Sequence, residues 1–156
     1  MSETIRKQIV QPRTPYLYLN PLLGKPFNIV LSGFIPSDAS TFTAINLATH
    51  SDRFPMICLP FHMSIRPLER ELVRNSYVAG KGWQSPEERQ LMSNDGFPIP
   101  LGSRFDMIIA CNEQEISVTI NGNLAFKFQH RVDPTNINLF EIHGSIFIES
   151  ICFDFL

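Results

Sequence analysis

Apolar residues along the chain come in short runs, at 27–31, 42–48, 56–65, 72–78, 105–111, 116–120, 124–128, 137–142 and 146–155. The runs recur roughly every 8–12 residues, the spacing of strands in a sandwich or barrel. Turn formers separate them, among them Pro36, Pro67, Gly80, Gly82, Gly102 and Pro134. One hairpin is nearly explicit. Ile116, Val118 and Ile120 alternate with polar residues, Asn121-Gly122 follows, and Leu124, Phe126 and Phe128 resume the alternation. Asn-Gly suits a two-residue type I′ turn, because both central residues need positive φ. No long segment carries a 3.6-residue apolar period, and 86–92 is the one stretch expected to form as much as a helical turn. The pattern predicts an all-β chain. Residues 1–15 are polar with two prolines and are expected to be a flexible arm, leaving 16–156 as the folded domain.

Composition narrows the classes. At 156 residues the chain suits one domain with a sizeable core. Its 44% apolar content and 13 Phe exclude a disordered chain. Net charge is −2, without the basic surplus that binds phosphate backbones, so nucleic acid is not an expected partner. No stretch approaches the roughly 20 apolar residues of a membrane span, so no membrane insertion is expected. Cys58, Cys111 and Cys152 are odd in number and lack paired spacing, which argues against a disulfide framework. The opening MSETIRKQIVQPRTP has no apolar stretch of the secretory kind, and no N-x-[ST] sequon occurs. A cytoplasmic location is the expectation. His50, His62, His130 and His143 are scattered, with neither zinc spacing nor an acidic calcium loop, so neither metal nor cofactor is expected.

Candidate chemistry lies in the segment CLPFHMSIRP. Phe61, Met63 and Ile65 alternate with His62, Ser64 and Arg66. On a strand the first set joins the core and the second faces the other way. A polar row is also what the solvated face of an antiparallel sheet ordinarily presents. Two features weigh against that reading. The next run brings Asn75 to a neighbouring strand, and Gly82-Trp83-Gln84-Ser85-Pro86-Glu87-Glu88-Arg89 holds the single Trp among turn residues and charges. An indole in that setting is more often a surface platform than core. A flat aromatic face, hydrogen-bonding groups and guanidiniums beside carboxylates together match what a sugar needs. Arg66, Glu87 and Arg89 are expected to form a network that holds their orientations.

These segments resemble the galectins, β-galactoside-binding lectins with a single carbohydrate-recognition domain. The family pattern runs H-x-N-P-R, V-x-N and W-G-x-E-x-R; here the corresponding stretches are HMSIR, VRN and WQSPEER, with PLGSRFDM, ISVTINGN and FKFQHRV also similar. The resemblance implies a two-sheet antiparallel β-sandwich, a jelly roll like that of concanavalin, with neither metal nor catalysis. It implies that His62 and Arg66 meet the axial 4-hydroxyl of galactose, Asn75 and Glu87 the 6-hydroxyl, and Trp83 the apolar face of the ring. Arg66, Glu87 and Arg89 would reach the neighbouring sugar. It further implies β-galactoside glycans as partners, export from the cytosol without a signal peptide, and a homodimer pairing edge strands near the termini. Residues 146–156 would then lie at or near the interface.

Ser64 stands where the family has Asn, Ile65 where it has Pro, and Gln84 where it has Gly, and the interval from Trp83 to Glu87 is one residue longer. A structural or protein-interaction domain of the same fold, with weakened or altered sugar binding, is therefore the alternative function. A closed barrel is the alternative fold, although it leaves the Trp83 loop unexplained. An enzyme is not expected: adjacent Glu87 and Glu88 on a strand would face opposite ways, and His62 and Ser64 have no orienting Asp nearby. Losing one neutral contact at position 64 costs about 1 kcal/mol, or roughly fivefold. Ser64→Asn is thus expected to tighten simple galactosides severalfold in calorimetric titration, and an unchanged affinity would clear Ser64 as the weak point.

Overall fold

The computed structural model describes residues 5–51, 58–91 and 97–156, apart from the side chains of 89–91. Its strands are β1 (Ile5–Val10), β2 (Tyr16–Leu19), β3 (Phe27–Phe34), β4 (Thr43–Thr49), β5 (Cys58–Arg66), β6 (Glu71–Val78), β7 (Gly82–Trp83), β8 (Glu88–Leu91), β9 (Arg104–Cys111), β10 (Glu115–Ile120), β11 (Asn123–Gln129), β12 (Leu139–Gly144) and β13 (Phe147–Phe155). One sheet runs β1-β13-β3-β9-β10-β11. The other runs β2-β12-β4-β5-β6, with the short β7 and β8 both paired to the outer edge of β6. Every pairing is antiparallel.

The two sheets bury one core between them. Phe27, Ile29, Leu31, Met107, Ile109, Phe128, Ile151 and Phe153 come from the first, and Ile45, Leu47, Phe61, Met63, Ile65, Leu72, Phe140 and Ile142 from the second. This is the β-sandwich expected from the alternating runs, not a closed barrel. The Asn-Gly hairpin forms as read: Asn121 and Gly122 sit at φ of 49° and 84°, between paired Ile120 and Asn123.

Three expectations change. Residues Ile5–Val10, expected in a flexible arm, form β1 and pair along β13 from Ile5↔Phe155 to Val10↔Ser150. Their side chains are mostly exposed. Backbone pairing thus holds a strand whose apolar pattern is too weak to announce it. The stretch allotted a helical turn instead contributes β8, because Val73 and Arg74 of β6 pair with Arg89 and Glu88. Finally, 146–156 does not supply a free edge. β13 lies between β1 and β3, so its apolar character reflects an interior strand whose core-side residues face the other sheet, and the edge falls to β1 with exposed Arg6, Lys7 and Gln8.

β5 carries the polar row and is the strand whose register matters most. Phe61, Met63 and Ile65 are fully buried, which sends His62, Ser64 and Arg66 to the outer face. Its pairing is regular from His62 onward and shifts between Leu59 and His62 against β6, around Pro60, a residue with no N–H to give the ladder. At the far end of the neighbouring strands, Gly144 ends β12 at φ +118°, where an added Cβ would overlap the carbonyl oxygen of Phe42. Gly144→Ala should therefore cost at least about 2 kcal/mol, from strain in both backbone and packing. Urea unfolding checks this, and a loss below about 0.5 kcal/mol would show that β12 and Phe42 part easily.

Candidate functional site

Strand register brings the polar positions into ranks across the outer face of the second sheet. Glu141 of β12 pairs with Asn46 of β4, Asn46 with His62 of β5, and His62 with Asn75 of β6. The next rank is His143, Ala44, Ser64, Val73 and Arg89. Opposed residues in such ranks stand about 5 Å apart, close enough for side chains to touch.

The first rank is a hydrogen-bonded chain. Asn46 donates from Nδ2 to Oε1 of Glu141 at 2.8 Å, and its Oδ1 lies 2.6 Å from Nδ1 of His62. Burial, then the electrostatic influence of Arg66 and of His143, outweigh the opposing pull of Glu87 and bring the His62 pKa down to about 4. At neutral pH the imidazole is uncharged. Arg66 directs Nε toward Oγ of Ser64 at 3.3 Å. Ser64 is only 3% exposed, so it lies beneath the guanidinium and does not stand out from the face.

Asn75 is also nearly buried. Its Oδ1 accepts from the backbone N–H of Ser76 at 2.8 Å and from Nη1 of Arg131 at 3.2 Å. The carboxamide is thereby oriented, with its NH₂ as the group it can offer a ligand. Arg131 reaches in from the segment after β11, lies 5.2 Å over the ring of Phe128 and pairs with Glu88 at 3.6 Å.

Trp83 is the exposed member, at 53%. Its ring centroid lies 4.7 Å from that of His62 and 5.3 Å from Tyr77, inclined at 54° and 70°. Tyr77 meets it edge-on, an arrangement that steadies the indole while leaving surface open. His62, Arg66, Val73, Asn75, Trp83 and Glu87 line one hollow of about 230 Å³. His62, Arg66 and Trp83 also border a second hollow of about 550 Å³, walled further by Thr41, Phe42, Ser64 and Leu68. A third, of about 380 Å³, lies between Trp83, Tyr77, Leu59, Ala48 and Glu141. A roomier hollow of about 600 Å³ at one end of the sandwich, beside Pro21–Gly24 and Asp133, contains none of these residues.

Of the seven residues read from the sequence, His62, Ser64, Arg66, Asn75, Trp83 and Glu87 border one or both of these two hollows, which share His62, Arg66 and Trp83. Arg89 is placed by its backbone opposite Val73 on β8, and its side chain is outside the described residues. Sequence reading missed Asn46, Glu141 and Arg131. Asn46 leaves a trace, a lone carboxamide within an apolar run, whereas Glu141 and Arg131 arrive from elements more than 50 residues away from Asn46 and Asn75, respectively.

Because the His62 pKa falls from 6.5 to about 4 on folding, the unfolded chain binds more protons across that window. Stability is therefore full above pH 6.5 and declines as pH falls toward 4, by about 2–3 kcal/mol from this group. Urea unfolding of wild type and His62→Gln at pH 7 and pH 4.5 measures it; the variant should show the smaller decline, and equal declines would contradict the assignment.

A family profile described as galactoside-binding lectin matches residues 23–153. Rat galectin-8 is 29% identical over 129 residues, covering 82% of this chain and 38% of that protein. Pig galectin-4 is 32% identical over 119 residues, covering 76% of the chain and 34% of its own length. The chain thus spans well under half of these relatives. Among solved structures, the Caenorhabditis elegans galectin LEC-6 is 25% identical, with a TM-score of 0.78 and coverage of 94% of each chain. Sheep galectin-11 shares the fold at 17% identity and a TM-score of 0.76.

Proposed function

The chain belongs to the family of galactoside-binding lectins, and on that premise we propose that it is a non-enzymatic lectin that seats the galactose unit of a β-galactoside glycan in the groove bordered by His62, Arg66, Asn75, Trp83 and Glu87. The observation that carries this reading is that groups of complementary polarity line one small hollow beside an exposed indole.

A hydroxyl differs from other small polar groups in that it both accepts and donates. The guanidinium of Arg66 only donates, and the uncharged imidazole of His62 can accept, so together they define a seat for one hydroxyl, the axial 4-hydroxyl of galactose. The oriented NH₂ of Asn75 and the carboxylate of Glu87 provide the same pairing for the 6-hydroxyl. Trp83 supports the C–H face of the ring. Ser64 acts by seating Arg66, in place of the longer side chain usual in this family.

Five or six hydrogen bonds at about 0.5–1.5 kcal/mol each, plus one stacked ring, must offset the immobilisation of a flexible ligand. The remainder is about −4 to −6 kcal/mol, or millimolar to tens of micromolar. Sites of that strength act through multivalency, which a homodimer or higher oligomer of this domain would supply. Cys58, Cys111 and Cys152 are all free thiols. That supports residence in the cytoplasm, with export by a route independent of a signal peptide.

A glycan array with wild type beside Trp83→Ala tests the reading. Wild type should retain β-galactosides intact, without turnover, and the variant should lose them by about tenfold or more. If wild type retains no galactoside and the variant behaves alike, the domain is a protein-interaction or structural member of the family with a decayed sugar site.

A further inference from the structure

The rank Glu141–Asn46–His62 leaves each member little choice of polarity. A carboxylate can only accept. Asn46 must therefore turn its NH₂ toward Glu141, and Nδ2 does lie 2.8 Å from Oε1. That orientation leaves only the carbonyl oxygen of Asn46 facing His62, at 2.6 Å from Nδ1. A carbonyl oxygen also only accepts, so Nδ1 must carry the proton. In an uncharged imidazole the other nitrogen, Nε2, is then a bare acceptor. Free histidine in water favours the opposite tautomer, so the ring is held in its less common form by a side chain two strands away.

Asn46 is 5% exposed and Glu141 is half-buried, so solvent competes little for these bonds. Glu141 also faces His143, whose Nε2 lies 3.5 Å from the same Oε1. That contact leaves its carboxylate an acceptor toward both neighbours. We infer that Glu141 is a positioning residue that sets, through Asn46, which His62 nitrogen bears the proton, and thereby determines that His62 reads a hydroxyl hydrogen on the ligand.

The tautomer follows from the protein alone. Its consequence for specificity rests on the galactoside reading above: the galactose 4-hydroxyl accepts from Arg66 while donating to Nε2 of His62. A 4-deoxy-4-fluoro galactoside keeps the acceptor and lacks the hydrogen, so it leaves the Nε2 lone pair facing fluorine.

Three proteins test the inference: wild type, Glu141→Gln and the double variant Asn46→Asp/Glu141→Gln. An amide at position 141 can accept or donate, which frees Asn46 to turn over. The double variant exchanges amide and carboxylate along the rank. The amide on β12 then donates to the carboxylate on β4, and that carboxylate accepts from Nδ1 of His62 as the Asn46 oxygen did, so polarity is restored with the charge moved by one strand. Long-range proton–nitrogen correlation spectra of His62 at pH 7 should show the proton on Nδ1 in wild type, a mixture in Glu141→Gln, and Nδ1 again in the double variant. Thermal melts establish that each is folded. Titration with methyl β-galactoside and its 4-fluoro analogue should show wild type preferring the hydroxyl by about fivefold or more. The preference should shrink in Glu141→Gln and return in the double variant.

A wild-type proton on Nε2, an unchanged spectrum in Glu141→Gln, or a folded double variant that fails to restore Nδ1–H would overturn the inference. If the spectra behave as expected and none of the three binds galactoside, the rank is upheld and the galactoside reading fails.

Discussion

Strand register is the constraint on which the polar outer face rests. Each outward group on β5 is placed by an apolar neighbour pointing inward: Phe61, Met63 and Ile65 are completely buried, and His62, Ser64 and Arg66 are carried to the opposite face between them. A slip of one residue would exchange the two sets. It would expose three large apolar side chains, each worth about 1.5–3 kcal/mol in burial, and would drive a guanidinium into the core. The same core thus stabilises the sandwich and aligns β4, β5, β6 and β12, from which the groove is drawn. The positions of the polar groups are fixed by hydrophobic packing behind them.

On that frame the groove is arranged by polarity more than by net charge. Burial and the nearby guanidinium keep His62 uncharged, with a pKa of about 4. Arg66 beside it is a donor seated on Ser64, and the oxygen of Asn75 is already occupied by Ser76 and Arg131. Each group is left with one kind of hydrogen bond to offer, so the face presents a fixed order of donors and acceptors. The supporting partners lie on β12, β4 and the segment after β11, so the arrangement of the face belongs to the whole fold and not to the motif on β5.

Much of the fold was legible because period-two alternation is a local property. The runs at 105–111, 116–120 and 124–128 became β9, β10 and β11, and the turn at Asn121-Gly122 has the positive φ values its residues favour. Where pairing instead of patterning holds a strand, the reading failed. β1 carries Arg6, Lys7 and Gln8 and exists because β13 offers it a full ladder of backbone partners. β8 exists because β6 has an outer edge to fill. A sequence read in windows registers neither the distant partner of β1 nor the vacant edge that β8 fills.

The sequence by itself determined the class of the fold, the strand that bears the polar row and the residue types around the single Trp, since each follows from alternation and from chemistry carried by neighbouring positions. The tertiary structure decided which of those residues stand out from the face and which lie under it, as with Ser64 at 3% exposure and Trp83 at 53%. It also decided the polarity of His62, through Asn46 and Glu141. Those properties depend on which strands lie side by side, and adjacency in a sheet is settled by burying the common core, which no short stretch of chain encodes.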